Sequence, residues 1–303
     1  MRGVKVVFAG AGWLEILDYF RERLPEGASL VHWDRRGPLA DVVRDADVIL
    51  PSNANLDRAT IEAASKLRLI QQPAVGTDAI DLEAARLRGV PVCNAPGTNP
   101  FSVAEAALLL MLALARRYKG AARAFADARV GSPVGVELHG KTLLVVGAGQ
   151  SGSRFARAAE AIGMRALSIR SRTPRADFLA MCTVADVVSV HCPLTPDTRG
   201  LIGAEVLAAM KPGAFLVNCA RGPIVDRAAL VHALESGRLG GVGLDVFWEE
   251  PWDPKDPLFQ REDVITLPHV GGTTVEAFTR IADIVGENIR RMLAGEELLH
   301  RVA

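Results

Sequence analysis

The segment "TLLVVGAGQSG" (residues 142–152) joins an apolar run to three glycines spaced G-x-G-x-x-G. The run Leu143–Val146 predicts a buried strand, and residues 153–162 after the turn predict a helix. In that context the glycines allow a tight turn, close approach to a pyrophosphate on the helix N-terminus, and packing of helix on strand. A dinucleotide site is therefore favoured over a mere tight turn. Its candidate residues are Gly147, Gly149, Gln150, Ser151 and Gly152.

The rest of the chain repeats this arrangement of short apolar runs and helical stretches. "VKVVFAGAG" (4–12) has the same strand-and-glycine pattern, and "DADVILPSN" (45–53) has a counterpart in "VADVVSVHCP" (184–193). Alternating strands and helices predict parallel sheets covered by helices. We therefore predict an α/β fold of two doubly wound parallel-sheet lobes, with the site in a cleft between them.

The boundary between the lobes is expected near "NAPGTNPFSVAE" (94–105), where Pro and Gly give way to a long helix beginning around Phe101. After "LPHVGGTT" (267–274), a last helix over 275–294 is expected to return to the first lobe, which is then discontinuous. The predicted domains are residues 1–98 with 275–303, and residues 99–274.

The first glycine turn is predicted to be structural. Gly10 and Gly12 match the motif, and Asp34 follows a second apolar run, where an NAD-binding lobe places an acid. The third glycine position, however, holds Glu15. Its side chain blocks close packing of helix on strand, and its charge competes with a phosphate for the helix N-terminus. We therefore expect the cofactor at the second turn only.

Cations stand where an NAD-binding lobe would place its acid. The apolar run in "ALSIRSRT" (166–173) ends on Arg170, downstream of the second glycine turn. An acid there would bind the ribose hydroxyls, whereas a guanidinium binds a phosphate in two places. A solvated strand end, or an arginine lying over the adenine, is the alternative. The missing acid favours NADP(H) as the preferred cofactor, with NAD(H) as the other one that the site could accept. The candidate residues are Arg170, Ser171, Arg172 and Thr173.

Three later apolar runs end on polar residues. "FLVNCARGPIVD" (215–226) presents Arg221, "GVGLDVFWEEP" (241–251) presents Asp245, Glu249 and Glu250, and "VITLPHVGGTT" (264–274) presents His269. Ligands bind outside the carboxyl ends of parallel strands, so these loops are expected to converge. An arginine can hold a carboxylate, a histidine can transfer a proton near pH 7, and an acid can orient the histidine ring. Each residue alone has a structural alternative, such as an ion pair between lobes or a solvated surface, but the joint pattern favours catalysis.

Composition and charge argue against several classes of partner. The chain has 35 basic and 35 acidic residues, so no net field attracts nucleic acid or a membrane surface. The longest apolar run, residues 103–115, is too short to span a bilayer. The 4 cysteines show no metal-ligand spacing. We therefore expect no nucleic acid, membrane or metal partner, and a reducing cytoplasmic location with free thiols.

Together these motifs resemble those of the D-isomer-specific 2-hydroxyacid dehydrogenases, a family that includes glyoxylate/hydroxypyruvate reductases and phosphoglycerate dehydrogenases. The resemblance covers nearly the whole chain. It runs from "QQPAVGTDAIDLEAARLRGVPVCNAPGTN" (71–99) through "GAGQSG" (147–152), "ADVVSVHCPLTPDTRGLI" (185–202), "NCARGPIVD" (218–226), "LDVFWEEP" (244–251) and "LPHVGGTT" (267–274). It implies a Rossmann cofactor domain, a flavodoxin-like substrate domain in the first lobe, and a homodimer built with the long helix after Pro100.

The resemblance also implies roles for single residues. Arg221 falls on the family's substrate-binding arginine, His269 on its acid/base histidine, and Glu250 on the acid paired with that histidine. Asp245 matches the aspartate beside the nicotinamide. The loop whose amides hold the substrate carboxylate falls on Ala74, Val75 and Gly76. Further candidate cofactor contacts are His191, Cys192, Pro193, Thr198, Cys219, Ala220, His269 and Gly271.

The sequence departs from the family pattern in a few places. Ala74 replaces the usual glycine of the carboxylate loop, Ala106 stands where a histidine is frequent, and segment 173–186 is shortened, which leaves room for only a brief helix. The predicted function is reduction of small 2-keto acids of the glyoxylate/hydroxypyruvate type to D-2-hydroxy acids, with hydride from the nicotinamide and a proton from His269. The alternative is a dinucleotide-sensing binding protein of the same fold without significant turnover. A formate dehydrogenase is disfavoured, because that branch pairs its histidine with a glutamine rather than with an acid like Glu250.

Overall fold

The computed structural model describes residues 3–10 and 12–303. The first glycine turn is therefore described except for Ala11, which, like Met1 and Arg2, lies outside these residues. The chain divides into two compact units, Met1–Asn99 with Thr274–Ala303, and Pro100–Thr273.

The first unit is built on a parallel sheet, which has five strands over the described residues in the order β2-β1-β3-β4-β5. Its strands are β1 Val4–Phe8, β2 Ala28–His32, β3 Val48–Leu50, β4 Leu69–Gln71 and β5 Val92–Cys93. Its helices are α1 Leu17–Arg23, α2 Leu39–Val42, α3 Arg58–Ala63, α4 Leu82–Leu87 and, from the end of the chain, α12 Val275–Ala294. A 3₁₀ turn, Leu14–Ile16, precedes α1.

The terminal helix α12 forms as predicted from the sequence. The Thr274 side chain caps its first turn by accepting a hydrogen bond from the Ala277 amide at 3.2 Å, and Gly295 ends it in the left-handed region at φ 71°. Its apolar side chains, including Phe278 and Ile281, pack in the same core as Phe20 of α1. The helix therefore belongs to the first unit because its buried stripe completes that unit's core.

The second unit contains a parallel sheet with six strands among the described residues, in the order β11-β10-β9-β8-β6-β7. Its strands are β6 Thr142–Val146, β7 Arg165–Ile169, β8 Val187–Val190, β9 Ala214–Asn218, β10 Leu239–Leu244 and β11 Val264–Thr266. Its helices are α5 Pro100–Ala115, α6 Tyr118–Ala126, α7 Gln150–Ala161, α8 Arg175–Val184, α9 Ala204–Ala209, α10 Arg227–Glu235 and α11 Pro257–Gln260.

The apolar runs of the second sheet are continuous because both of its faces are covered. Leu144 and Val146 of β6 belong to one buried cluster, whereas Leu143 and Val145 belong to another on the opposite face. The chain reverses direction across the sheet at β6, which lies between β7 and β8. Such a reversal leaves an opening at the carboxyl ends of β6 and β8, and this is where doubly wound sheets bind ligands.

The prediction of two doubly wound parallel sheets is confirmed. The helix after the second glycine turn begins at Gln150 rather than at residue 153, and the long helix begins at Pro100 rather than at Phe101. The segment expected to hold only a brief helix contains the 10-residue α8, whose Phe178 and Cys182 are buried. The crossover from β7 to β8 therefore keeps a full helical cover despite its short length.

Candidate active site

Two glycines of the second turn are required by the packing of the protein itself. Gly147 adopts φ +103°, and a Cβ there would lie 2.6 Å from the Cys192 amide nitrogen. A Cβ on Gly152 would overlap the Gly147 carbonyl oxygen and lie 2.8 Å from a methyl group of Val145. The turn is thus pressed against the chain that leaves β8, and the helix is pressed against β6.

Gly149 has a different reason to be glycine. Its φ of −79° suits any residue, and a Cβ there would meet no heavy atom of the described residues within 4 Å. The open space lies in front of the first turn of α7, where amide groups have no partner inside the helix. A pyrophosphate would fill that space and accept hydrogen bonds from the turn at Gln150 and Ser151, so these residues fit a dinucleotide.

His191 and Cys192 lie beneath this turn, directly after β8. The His191 ring packs on Phe155 of α7 at 5.5 Å between centroids, and its Nε2 lies 2.8 Å from the Ser189 hydroxyl. Its Nδ1 is buried with no hydrogen-bond partner among the described residues. Burial lowers the pKa of His191 to about 4, so the ring is neutral at pH 7.

The other predicted cofactor contacts lie in the loops after β8 and β9. Pro193 is exposed and is followed by a loop that the Thr198 hydroxyl closes by donating to the Pro193 carbonyl at 2.7 Å. After β9, Cys219 is partly buried and Ala220 is buried. Desolvation raises the pKa of the Cys192 thiol to about 11 and that of Cys219 well above its ordinary value. Both thiols are therefore neutral and serve as packing surface rather than as nucleophiles.

The predicted phosphate-binding residues form one tight turn after β7. The Arg170 amide donates to the Thr173 hydroxyl at 3.0 Å, and the Thr173 amide donates to the Arg170 carbonyl at 2.9 Å. Thr173 therefore closes the turn, which leaves Arg170, Ser171 and Arg172 exposed. Neither guanidinium has an ion-pair partner in the described part of the chain. The amide of Gly147 donates to the Ile169 carbonyl at 3.1 Å, so this turn lies beside the glycine turn.

Arg221 is presented by a loop that a buried amide shapes. The Asn218 side chain donates to the Arg221 carbonyl at 2.9 Å and accepts from the Ala220 amide at 3.0 Å. A Cβ on the next residue, Gly222, would overlap the backbone of Phe247. The Arg221 loop is thus packed directly against the loop that carries Glu250.

Glu250 and His269 form a close pair. Glu250 Oε2 lies 2.6 Å from His269 Nδ1, and Glu250 Oε1 accepts from the Phe247 amide at 3.2 Å. Burial raises the pKa of Glu250, but the hydrogen bond to His269 and the charges of His269 and Arg221 outweigh it, so the pKa is lowered overall. Glu250 is therefore an anion at pH 7. Its bond to Nδ1 leaves the other ring nitrogen, Nε2, for proton transfer.

Asp245 holds the loop that carries His269. It is 2% exposed, and it accepts hydrogen bonds from the amides of Val270 at 2.8 Å and Gly271 at 2.9 Å. His269 itself adopts φ +54°, a left-handed conformation rare for histidine, and its amide donates to the Leu267 carbonyl at 3.0 Å. Burial raises the pKa of Asp245 to about 6, partly opposed by the charge of His269 and by the two amides. Two carboxylates thus fix the histidine, one through its ring and one through its backbone.

A family model described as "D-isomer specific 2-hydroxyacid dehydrogenase, NAD binding domain" matches residues 108–271, more than half of the chain. Every predicted site residue of the second unit, from Gly147 to Gly271, falls inside this match, whereas the loop at 74–76 lies outside it. The chain belongs to the D-isomer specific 2-hydroxyacid dehydrogenase family.

Individual members of the family are similar over most of this chain. A D-3-phosphoglycerate dehydrogenase of Methanocaldococcus jannaschii is 40% identical over 273 residues, 85% of this chain and 52% of its own length. A glyoxylate reductase of Thermococcus litoralis is 38% identical over 286 residues, 86% of this chain and 85% of its own. The chain therefore spans about half the length of the phosphoglycerate dehydrogenases that it matches.

Solved structures of the family share the whole fold. The NADPH-dependent glyoxylate/hydroxypyruvate reductase of Sinorhizobium meliloti, solved with NADP and malonate, is 31% identical, with a TM-score of 0.86. The superposition covers 100% of this chain and 97% of that one. A nicotinamide dinucleotide is the cofactor class of the matched domain, in agreement with the geometry of the glycine turn.

Two residues that support the candidate site were missed in the sequence. Asn218 reads as one more residue of a buried strand, and Trp248 as core, yet the Trp248 indole donates to the Val225 carbonyl at 2.7 Å and ties the Glu250 loop to the Arg221 loop. A buried asparagine at the end of an apolar strand was the only available signal. In the first unit, the predicted loop Ala74–Gly76 follows β4 after Gln72 and Pro73 and exposes Val75.

Among the described helices, none combines the length and the apolar character needed to cross a membrane. Within residues 3–10 and 12–303, no cluster of three His, Cys, Asp or Glu side chains could hold a metal ion.

Proposed function

We propose that this chain is an NADP-preferring 2-keto acid reductase that makes D-2-hydroxy acids from small substrates of the glyoxylate/hydroxypyruvate type. The observation that carries the proposal is the contact of 2.6 Å between Glu250 and His269 Nδ1, with Arg221 near enough for its charge to act on Glu250. An oriented imidazole beside a carboxylate and a guanidinium is suited to transferring a proton to a carbonyl oxygen next to a carboxylate.

The residues of the site then divide the work. NADPH, when bound, supplies the hydride that reduces the keto carbon. His269 Nε2 donates the proton to the keto oxygen, and Glu250 holds the ring by Nδ1 and stabilises its charged form until the proton is given. Arg221 binds the substrate carboxylate in a fork and polarises the carbonyl oxygen. The proposed substrate contacts are Arg221, His269 and the loop Ala74, Val75 and Gly76.

The preference for NADP rests on the turn after β7. Arg170 and Arg172 present guanidinium groups without ion-pair partners among the described residues, and the turn directly after β7 holds no acid to accept the ribose hydroxyls. Thr173 closes the turn with its hydroxyl, so its contribution is to shape the pocket, and Ser171 is the hydroxyl left for a phosphate. That the S. meliloti protein uses NADPH is in line with this proposal.

A small substrate is favoured over a phosphorylated one by the residues that follow β4. The segment 72–78 contains no lysine, arginine or histidine that would bind a phosphate dianion.

We further propose a cytoplasmic homodimer. The segment from α5 to residue 136 exposes large apolar side chains whose burial against a second copy would stabilise a dimer. They are Phe101, Leu109, Leu112, Tyr118, Phe125, Val130, Val134 and Val136. The 4 cysteines are all unpaired thiols, which is the state expected in a reducing compartment.

The test is a panel of 2-keto acids, namely glyoxylate, hydroxypyruvate, pyruvate and 3-phosphohydroxypyruvate, each assayed with NADH and with NADPH. We expect the highest kcat/KM with glyoxylate or hydroxypyruvate and NADPH. Fastest turnover of the phosphorylated acid would contradict the proposed substrate, and a preference for NADH would contradict the proposed cofactor. Tight NADPH binding without turnover of any acid would instead identify a dinucleotide-sensing binding protein. Light scattering of the same sample measures whether the chain is a dimer.

A further inference from the structure

The carbonyl groups of the loop Ala74–Gly76 all face the body of the first unit. The Ala74 carbonyl accepts from the Ala95 amide at 2.9 Å. The Val75 carbonyl accepts from the Asn94 side chain at 2.9 Å, and the Gly76 carbonyl accepts from the Gln72 side chain at 2.7 Å. Three consecutive peptide units are therefore held in one orientation.

That orientation turns three amides outward. In a trans peptide the N–H points opposite to the carbonyl, so the N–H groups of Val75, Gly76 and Thr77 point away from the three partners. None of these amides donates a hydrogen bond within the described residues. Successive unpaired amides in a turn attract an anion through their dipoles. No lysine, arginine or histidine lies within residues 72–78, so these dipoles form the positive side of the loop.

Gln72 is placed in a way that packing alone does not explain. It is 4% exposed, and its Nε2 donates to both the Gly76 carbonyl and the Ser52 carbonyl, the latter at 3.0 Å. Both neighbours are acceptors, which settles that the NH₂ group faces them. Its Oε1, however, is buried with no partner among the described residues. A buried unpaired acceptor is unfavourable, so the two hydrogen bonds donated by Nε2 must offset its cost.

A second buried amide pair supports the two donors. Gln71 donates to the backbone carbonyls of Gln72 at 3.1 Å and Asn94 at 3.3 Å. Its Oε1 accepts from the side chain of Asn288 at 2.6 Å, and Asn288 is fully buried on α12. The backbones of both donors are thus fixed, and the loop is held in its outward-facing shape before any ligand arrives.

We infer that Gln72 and Asn94 are positioning residues that hold the amides of Val75, Gly76 and Thr77 as a neutral anion site for the carboxylate of the 2-keto acid. The inference rests on the proposed function, because that function supplies the ligand. Neither side chain needs to touch the substrate, since each acts through a loop carbonyl. Such a role predicts a loss of substrate binding with little change in the chemical step.

The test uses Gln72→Met, which keeps the length of the side chain but removes both donors, and Asn94→Asp, which keeps its shape but replaces the donor by an acceptor. We expect the KM for glyoxylate to rise about tenfold or more in each, while the KM for NADPH and kcat at saturating glyoxylate change by less than about threefold. A glyoxylate KM within about twofold of wild type in both variants would overturn the inference.

Asp57→Ala is the matched control for a general loss of stability in the first unit. The Asp57 side chain caps α3 by accepting from the Thr60 amide at 2.9 Å and contacts no atom of the loop in any hydrogen bond found among the described residues. Its removal should lower Tm and leave both KM values unchanged. A rise in the glyoxylate KM of the control equal to that of the two variants would count against positioning.

Oxamate binding separates this inference from the proposed function. Oxamate carries the same carboxylate but is not reduced, and calorimetry in the presence of NADPH measures its Kd. If the wild type reduces no 2-keto acid, the proposed function fails, and oxamate decides the inference alone. Binding to wild type that weakens about tenfold in Gln72→Met and Asn94→Asp supports it. Equal binding in all three proteins, or none to the wild type, overturns it.

Discussion

The two glycine turns of this chain differ in the structure that comes directly after the glycines. In the first, a Cβ on Gly10 would lie 2.5 Å from the Phe8 ring, and the chain continues into the 3₁₀ turn Leu14–Ile16 with Glu15 in it, so that α1 begins only at Leu17. In the second, Gly149 is itself the N-cap of the 12-residue α7. A glycine pattern therefore makes a phosphate site only where a helix starts at once and its first amides stay open.

The same contrast extends to the carboxyl edges of the two sheets. The loops after β3, β4 and β5 present neutral groups: the Gln72 side chain donates to the Ser52 and Gly76 carbonyls, and the Asn94 side chain donates to the Val75 carbonyl. The loops after β9, β10 and β11 of the second sheet present Arg221, Glu250 and His269. The first edge is thus suited to holding an anion by neutral dipoles, and the second to moving charge.

The largest effect is expected at the carboxyl edge of the second sheet, which carries Arg221, Glu250 and His269. Replacement of His269 or Arg221 by alanine should lower kcat/KM for glyoxylate by at least about 10²-fold, because one change removes the proton donor and the other the cation beside the carbonyl. Steady-state kinetics with NADPH measures both.

His32, which ends β2 of the first sheet, is the matched control for His269→Ala. Its ring packs on Phe8 at 6.1 Å between centroids, and His32→Ala should lower Tm while kcat/KM stays near the wild-type value. Near-native turnover of both His269→Ala and Arg221→Ala would remove the basis of the proposed reductase.

The next largest effect is expected on the KM for NADPH when the same substitution is made in each of the two glycine turns. Gly149 and Gly12 both have open space where a Cβ would lie, so alanine at either position should leave the fold intact. At Gly149 the methyl group would fill the space proposed for the pyrophosphate, and the KM for NADPH should rise about tenfold or more. Gly12→Ala should not change it. Equal KM values in the two variants would mean that the second turn has no special access to the cofactor.

The helices and strands on which these differences depend could be predicted from the sequence, but several of their hydrogen-bond partners could not. Local patterns of glycine and apolar spacing, which the sequence alone contains, predict the strand and helix around the second turn and also α12. The partners of Asp245 and Trp248 are not predictable in this way, because Val270 and Val225 are brought to them by the packing of separate strands. The role of Gln72 depends likewise on a backbone carbonyl at Gly76, whose direction no residue pattern states.

A smaller effect is expected at the turn after β7, which carries Arg170 and Arg172. Arg170→Asp places an acid after β7, where it can accept from ribose hydroxyls and repels a 2′-phosphate, so the ratio of kcat/KM for NADPH to that for NADH should fall about tenfold. Arg36→Asp, which makes the same charge change after β2, is the control on the first sheet and should leave the ratio unchanged. An unaltered ratio in Arg170→Asp would assign cofactor choice to other residues.

The smallest effect concerns Asp245, because its hydrogen bonds go to the backbone after His269 and not to the His269 ring. Burial raises its pKa to about 6, so the carboxylate that accepts from Val270 and Gly271 becomes protonated as the pH falls below about 6, and one of these hydrogen bonds is lost. We therefore expect kcat/KM for reduction to fall below about pH 6.

Asp245→Asn should lower kcat/KM about threefold at pH 7.5, since one amide loses a charged acceptor, and should remove that acid limb of the profile. The control is Asp47→Asn in the first unit, where the carboxylate accepts from the Lys5 amide at 2.9 Å and holds no catalytic loop. An acid limb that persists unchanged in Asp245→Asn would show that the loop of His269 keeps its shape without this charge.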